Sequence, residues 1–141
     1  MLFVWRRRVR IIAASVLCCL IGGLAGCGSV GRRSDAASDA AVRFLDAVSA
    51  GDGEAACALL APDAVEEVER SSGQTCAQAV TDEDLPEPGT VTGADVYGQW
   101  AMVRLSGQAV FLAMFPGGWR VVAAGCQSRG ERPYDCVVDG G

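Results

Sequence analysis

The chain has 141 residues, half of them hydrophobic, and its 17 acids outnumber its 12 basic residues to give a net charge of −5. Every basic residue is Arg, and neither His nor Asn occurs. That usage excludes histidine-based proton transfer and ligation, and it argues against nucleic acid as a partner, because phosphate binding draws on clustered Lys and Arg.

Taken in chain order, Arg6, Arg7, Arg8 and Arg10 form a cationic cluster, and Ile11 to Leu24 follow without a charge. Such a span suits the apolar core of a signal peptide better than a bilayer-spanning helix, which needs about 20 residues. The small residues Ala25 and Gly26 then precede Cys27, whose thiol is a soft nucleophile suited to thioether formation. The run Leu24-Ala25-Gly26-Cys27 resembles the lipobox of bacterial lipoprotein signal peptides. The resemblance implies that residues 1–26 are a signal peptide, that cleavage falls before Cys27, and that lipidation with palmitate-type chains at Cys27 anchors the protein to the extracytoplasmic face of the cell membrane. Two acyl chains hold firmly where one does not, since each buried methylene adds about 0.8 kcal/mol. An uncleaved signal anchor, with Cys27 a small juxtamembrane residue, is the alternative. The arginines leave the export route open between general secretory and twin-arginine.

Cleavage would take Arg6, Arg7, Arg8 and Arg10 with it, leaving 115 residues with 8 arginines against 17 acids and a net charge of −9. That length allows one domain. The acids favour cationic partners in a general way and otherwise keep an exported domain soluble. Residues 27–37, small and polar, read as a flexible tether, with Arg32 and Arg33 able to touch anionic head groups at about 1 kcal/mol each. The domain is expected over 38–141. Four cysteines remain there, Cys57, Cys76, Cys126 and Cys136, an even number that fits disulfides in an oxidising compartment. Three pairings are possible, and locality favours Cys57 with Cys76 and Cys126 with Cys136. No metal site is expected, since His is absent and no CxxC spacing occurs in this part.

Ser38 or Asp39 can cap a first helix whose Ala41, Phe44, Leu45 and Val48 share one face. Gly51 ends it, and Asp52 can cap a second helix carrying Ala56, Leu59 and Leu60 inward. Pro62 suits the first turn of a third helix through about Arg70, and a fourth short turn over 75–80 would bring Cys76 back toward Cys57. The acidic, proline-bearing stretch 81–89 reads as a hinge. From Thr90 the period changes to 2, and four strands are expected: 91–97, 100–105, 108–115 and 119–124, joined by hairpin-type breaks into an antiparallel meander. The third strand is apolar on both faces and should be central. A polar loop over 127–133 then leads to Tyr134-Asp135-Cys136-Val137-Val138, a candidate edge strand. The fold class is α+β, three to four short helices packed on a curved antiparallel sheet of four to five strands.

The opening helix Ala41-Val42-Arg43-Phe44-Leu45-Asp46-Ala47, the step Gly51-Asp52-Gly53-Glu54-Ala55-Ala56-Cys57 and the late strand Gly117-Gly118-Trp119-Arg120-Val121 resemble the cone of the nuclear transport factor 2-like superfamily. The chain is also similar to small actinobacterial lipoproteins, with their arginine-only, alanine- and glycine-rich usage. One departure is that no strand is evident between the second and third helices. Enzymes of the superfamily often place an Asp with His or Tyr in the cone; the resemblance therefore directs attention to Asp95 with Tyr97, at i, i+2 on one strand, and to Tyr134 with Asp135. An exposed strand-end Asp and a packed Tyr are the ordinary reading of the former. Trp100 and Trp119 could line a pocket for a flat ligand or simply pack the core. Arg104 and Arg120, inside apolar strands, would select an anionic ligand if they pointed into the cone, and would otherwise face solvent on the outer side of the sheet. The run Glu66-Glu67-Glu69 reads as a solvated helix face. No catalytic residue and no cofactor is assigned. The expected role is a non-enzymatic module that docks an envelope protein or a small ligand; a small lyase or isomerase of the polyketide-cyclase-like type, using a buried Asp, is the alternative.

Overall fold

The computed structural model describes residues 27–141, so the signal-peptide reading of 1–26 lies outside the described residues. Residues 33–141 form one compact unit, separate from the unit that ends at Arg32. Among the described residues four helices precede the sheet: α1 (Cys27–Ser49), α2 (Gly53–Leu59), α3 (Pro62–Ser72) and α4 (Cys76–Asp82). Six strands follow: β1 (Val91–Tyr97), β2 (Trp100–Leu105), β3 (Gln108–Phe115), β4 (Gly118–Arg129), β5 (Arg132–Asp135) and β6 (Val138–Asp139). All pair antiparallel in the order β1-β2-β3-β4-β5, with β6 also on β4, so β3 is central as its two apolar faces require. The fold is α+β.

The first helix begins earlier than expected. The segment 27–37, read as a flexible tether, is helical. Ala36, Ala37, Ala40 and Ala41 are strong helix formers, and the buried Ala37 extends the core-facing stripe through Ala40, Ala41, Phe44 and Leu45. Ser38 is therefore a mid-helix residue: its hydroxyl donates to the Ser34 carbonyl at 2.9 Å. The end of α1 follows the expectation. Gly51 takes φ 72°, its N–H donates to the Val48 carbonyl at 2.9 Å, and the Asp52 N–H donates to the Ala47 carbonyl at 2.9 Å, the two bonds of a Schellman motif. Asp52 then caps α2, its carboxylate accepting from the Ala55 N–H at 3.1 Å.

Helices α2 and α4 meet closely. A Cβ on Gly53 would fall 1.8 Å from the Ala77 carbonyl oxygen, which is backbone and cannot rotate away. Gly53→Ala is expected to destabilise the fold by about 2 kcal/mol, read as a lower urea midpoint. Beside this contact Cys57 is bonded to Cys76, and a second disulfide joins Cys126 to Cys136. Glu69, which the sequence pattern leaves on a solvated face, accepts the Cys76 N–H at 3.0 Å and so caps the start of α4.

One core cluster lies between the helices and the sheet. It gathers Phe44, Leu45, Ala56, Leu60, Val68 and Val80 from the helical half with Val103, Leu105, Val110, Leu112, Trp119 and Val121 from the strands. The stretch 81–89, expected as a hinge, is pinned rather than free. Leu85 packs on the core, and the buried Gln108 amide donates to the Pro86 carbonyl at 3.0 Å while its oxygen accepts from the Gly125 N–H at 3.1 Å. Satisfying both ends of a buried amide is what makes its burial tolerable.

The back of the sheet also departs from expectation. The fourth strand runs on to Arg129, and most of the polar segment 127–133 is a hairpin in which Gln127 pairs with Asp135 and Arg129 with Arg132. Polar residues are at home in an exposed ribbon. Gly130 at φ 70° turns the chain, and the Cys126–Cys136 bridge ties its two arms. The single edge strand expected over 134–138 is split into β5 and β6 around Cys136 and Val137.

Candidate functional site

Strand register sorts the candidate residues onto two faces. Gly93, Asp95 and Tyr97 alternate along β1 and pair with Arg104, Met102 and Trp100 on β2; these pair in turn with Ala109, Phe111 and Ala113 on β3. The intervening residues, Val103, Val110 and Leu112 among them, belong to the core against the helices. Asp95, Tyr97, Trp100 and Arg104 therefore share the outer face, turned away from the helical side. Trp119 pairs with Met114, one residue out of phase with Ala113, and joins the core. The two indoles thus lie on opposite faces, on strands with β3 between them, and do not line one pocket.

Asp95 accepts a hydrogen bond from Arg104, and both side chains are about two-fifths exposed, at 38% and 43%. That hydrogen bond first, and the carboxylate charge second, hold the Arg104 guanidinium above its ordinary pKa. Gly93 lies under the pair, where a Cβ would come within 2.7 Å of the Arg104 guanidinium. The carboxylate is thus partly solvent-exposed and already matched by a cation, unlike the buried, unpaired Asp that the catalytic alternative calls for. Tyr97 is 66% exposed beside it. Tyr134 meets Phe111 edge-on at 5.1 Å between ring centres, and Arg129 lies 3.9 Å from Asp135.

Arg120 serves the fold. Its guanidinium donates to the Ala58 carbonyl near the end of α2, where a cation complements the helix dipole. Arg33, read from the sequence as a tether residue able to touch anionic head groups, is instead engaged by the domain. It donates to the Gly98 carbonyl at the turn between β1 and β2, and its guanidinium lies 5.5 Å from the centre of the Trp119 ring. The Trp119 indole N–H is buried without an acceptor among the described residues.

Two open clefts flank this frame. One, of about 660 Å³, runs along α1 and is lined by Ala36, Val42 and Arg43 with Val91. The other, of about 400 Å³, is acidic, with Glu67, Glu83 and Asp139 beside Ser71 and Val138. Partial burial raises the Glu83 pKa above the ordinary 4.5. A raised carboxyl favours the protonated fold, so its contribution to stability is full below about pH 4.5 and is lost as pH rises through the folded value. Glu83→Gln is therefore expected to raise the melting temperature at pH 7, with the difference shrinking toward zero by pH 4. No group of three His, Cys, Asp or Glu side chains stands ready to hold a metal ion among the described residues.

The structure thus defines an α+β domain, stapled twice, whose outer sheet face buries a small cluster around Ala109, Ala123 and Cys126 and carries the Asp95–Arg104 ion pair with exposed rings at its β1–β2 end. Comparison with family models, with curated proteins and with solved structures returns no match.

Proposed function

We propose that this chain is an exported lipoprotein, cut before Cys27 and held at the extracytoplasmic face of the cell membrane by acyl chains on that sulfur. The domain acts as a non-enzymatic docking module, or a small-ligand-binding one, for a component of the cell envelope. The observation that carries the placement is the pair of disulfides: all four cysteines of the domain are spent in crosslinks, which persist in an oxidising compartment. The uncharged run 11–24 ending in Leu24-Ala25-Gly26-Cys27 supplies the address.

The exposed, ion-paired state of Asp95 supports docking over catalysis, because a lyase or isomerase needs its carboxylate desolvated and unmatched. The order of elements, helices first and an antiparallel meander after, supports the likeness to the nuclear transport factor 2-like superfamily. Leu60, which bridges to Val121, stands where many members have a further strand.

The test is incorporation of labelled fatty acid together with the mass of the amino-terminal peptide. Label on a chain that starts at Cys27, abolished by Cys27→Ser, is the expected result; label that survives Cys27→Ser, or none at all, overturns the reading.

A further inference from the structure

Tyr97 and Trp100 flank the turn between β1 and β2, directly paired and 66% and 57% exposed, which makes them the most exposed rings among the described residues. Water is a poor surrounding for two large rings side by side, whereas Tyr and Trp are the residue types enriched where a membrane meets water, each having an apolar body and a polar tip. The neighbouring turn between β3 and β4 lies at the same end of the sheet, since the Met114 N–H donates to the Gln99 carbonyl at 2.8 Å. That turn adds Phe115 and Pro116.

Charge and reach point the same way. In a chain with 17 acids, none occurs from Val96 to Gly130, so both turns are free of the negative charge that anionic lipid would repel. The turn is also tied to the start of the domain, because Arg33 donates to the Gly98 carbonyl. Arg33 lies six positions beyond Cys27, and six residues of chain span at most about 22 Å in any conformation. The uncharged run 11–24 ends just upstream of Cys27, so a chain held by that run or by lipid on Cys27 keeps this turn close to the bilayer surface.

We propose that the β1–β2 turn, led by Tyr97 and Trp100, seats in the interfacial layer of the membrane to which the chain is tethered. The inference rests on the tethered reading above, and it commits to lipid as the occupant of these rings. The tether supplies the local concentration, and the rings set the orientation: one end of the sheet faces the lipid, and the domain has a fixed side toward the membrane.

The full chain, purified from membranes of expressing cells and reconstituted into phosphatidylglycerol–phosphatidylcholine vesicles, tests this with lipids brominated high on the acyl chain. The Trp100 signal is the emission of the wild type minus that of Trp100→Phe, a change that keeps a ring at an exposed site. Quenching of that signal by about twofold or more is expected, along with a blue shift relative to the protein in detergent-free buffer. Identical emission in brominated and plain vesicles overturns the proposal. So does a Trp100 that stays wet in pure vesicles and is shielded only in native membranes, which assigns the turn to a protein partner. The mass of the amino-terminal peptide of the same sample reads the anchor separately. A quenched Trp100 on an acyl-free Cys27 removes the lipid-anchor reading and keeps the seat; an acylated Cys27 with unquenched Trp100 does the reverse.

Discussion

Phe44→Ala is expected to cost about 4 kcal/mol, the largest effect of any single truncation of the helical face, and to lower the melting temperature by about 15 °C. The ring is fully buried on α1 and reaches the cluster that joins helices to sheet, with Leu45, Leu60 and Leu112 among the other fully buried side chains. Removing it takes apolar area out of the core and leaves a void that backbone on both sides, held by disulfides and ladder bonds, closes only in part. Urea unfolding of the oxidised protein checks this. A cost under 1 kcal/mol would mean that α1 does not lie on the sheet as described.

Loss of the Cys57–Cys76 bridge ranks second. Its loop spans 19 residues, and the chain-entropy model assigns about 3 kcal/mol to closing it. The double replacement Cys57→Ala and Cys76→Ala is expected to lower stability by that amount, and more than the corresponding pair at Cys126 and Cys136, whose loop is 10 residues. The measurement is the urea midpoint of each double variant against the wild type. The distinction also has a structural side. Gly53 already brings α2 against α4 within backbone contact, so a freed α4 loses both its staple and the close fit that the staple maintains.

Much of this architecture is legible in the residues. The α1 stripe, the Gly51–Asp52 joint, Pro62 at the start of α3 and the four meander strands each follow from a local rule: a 3.6 period, a left-handed glycine, a preset φ, or a period of 2. What escapes is what depends on partners far along the chain. The start of α1 is hidden because Gly28 and Gly31 look like a linker, and only the burial of Ala37 reveals the helix. The β4–β5 ribbon reads as loop because a two-stranded exposed hairpin needs no apolar alternation. Glu69 and Gln108 look like surface residues until the amide and carbonyl groups they satisfy are seen.

The candidate site was less legible, for the same reason. Alternation places Asp95 and Tyr97 on one face but does not say which face meets the helices; that depends on register with β2 and β3. Trp100 and Trp119 look equivalent in sequence, yet one projects from the protein surface and the other is buried and supports Arg33. The signal that assigns Arg33 to the domain and not to a tether is its position one turn before Ala37, on the edge of the buried stripe.

The two crosslinks also bear on how the molecule matures. Each closes within one half of the chain, one among the helices and one in the tail of the sheet, so neither waits for the halves to meet. Either bridge can close without the other, and the native partner of each thiol is the cysteine nearest to it along the sequence. Assembly of the two halves is then left to the apolar seam and to hydrogen bonds across it, from Arg33 to Gly98, from Arg120 to Ala58 and from the Ala61 N–H to Val121, contacts that form without a catalyst.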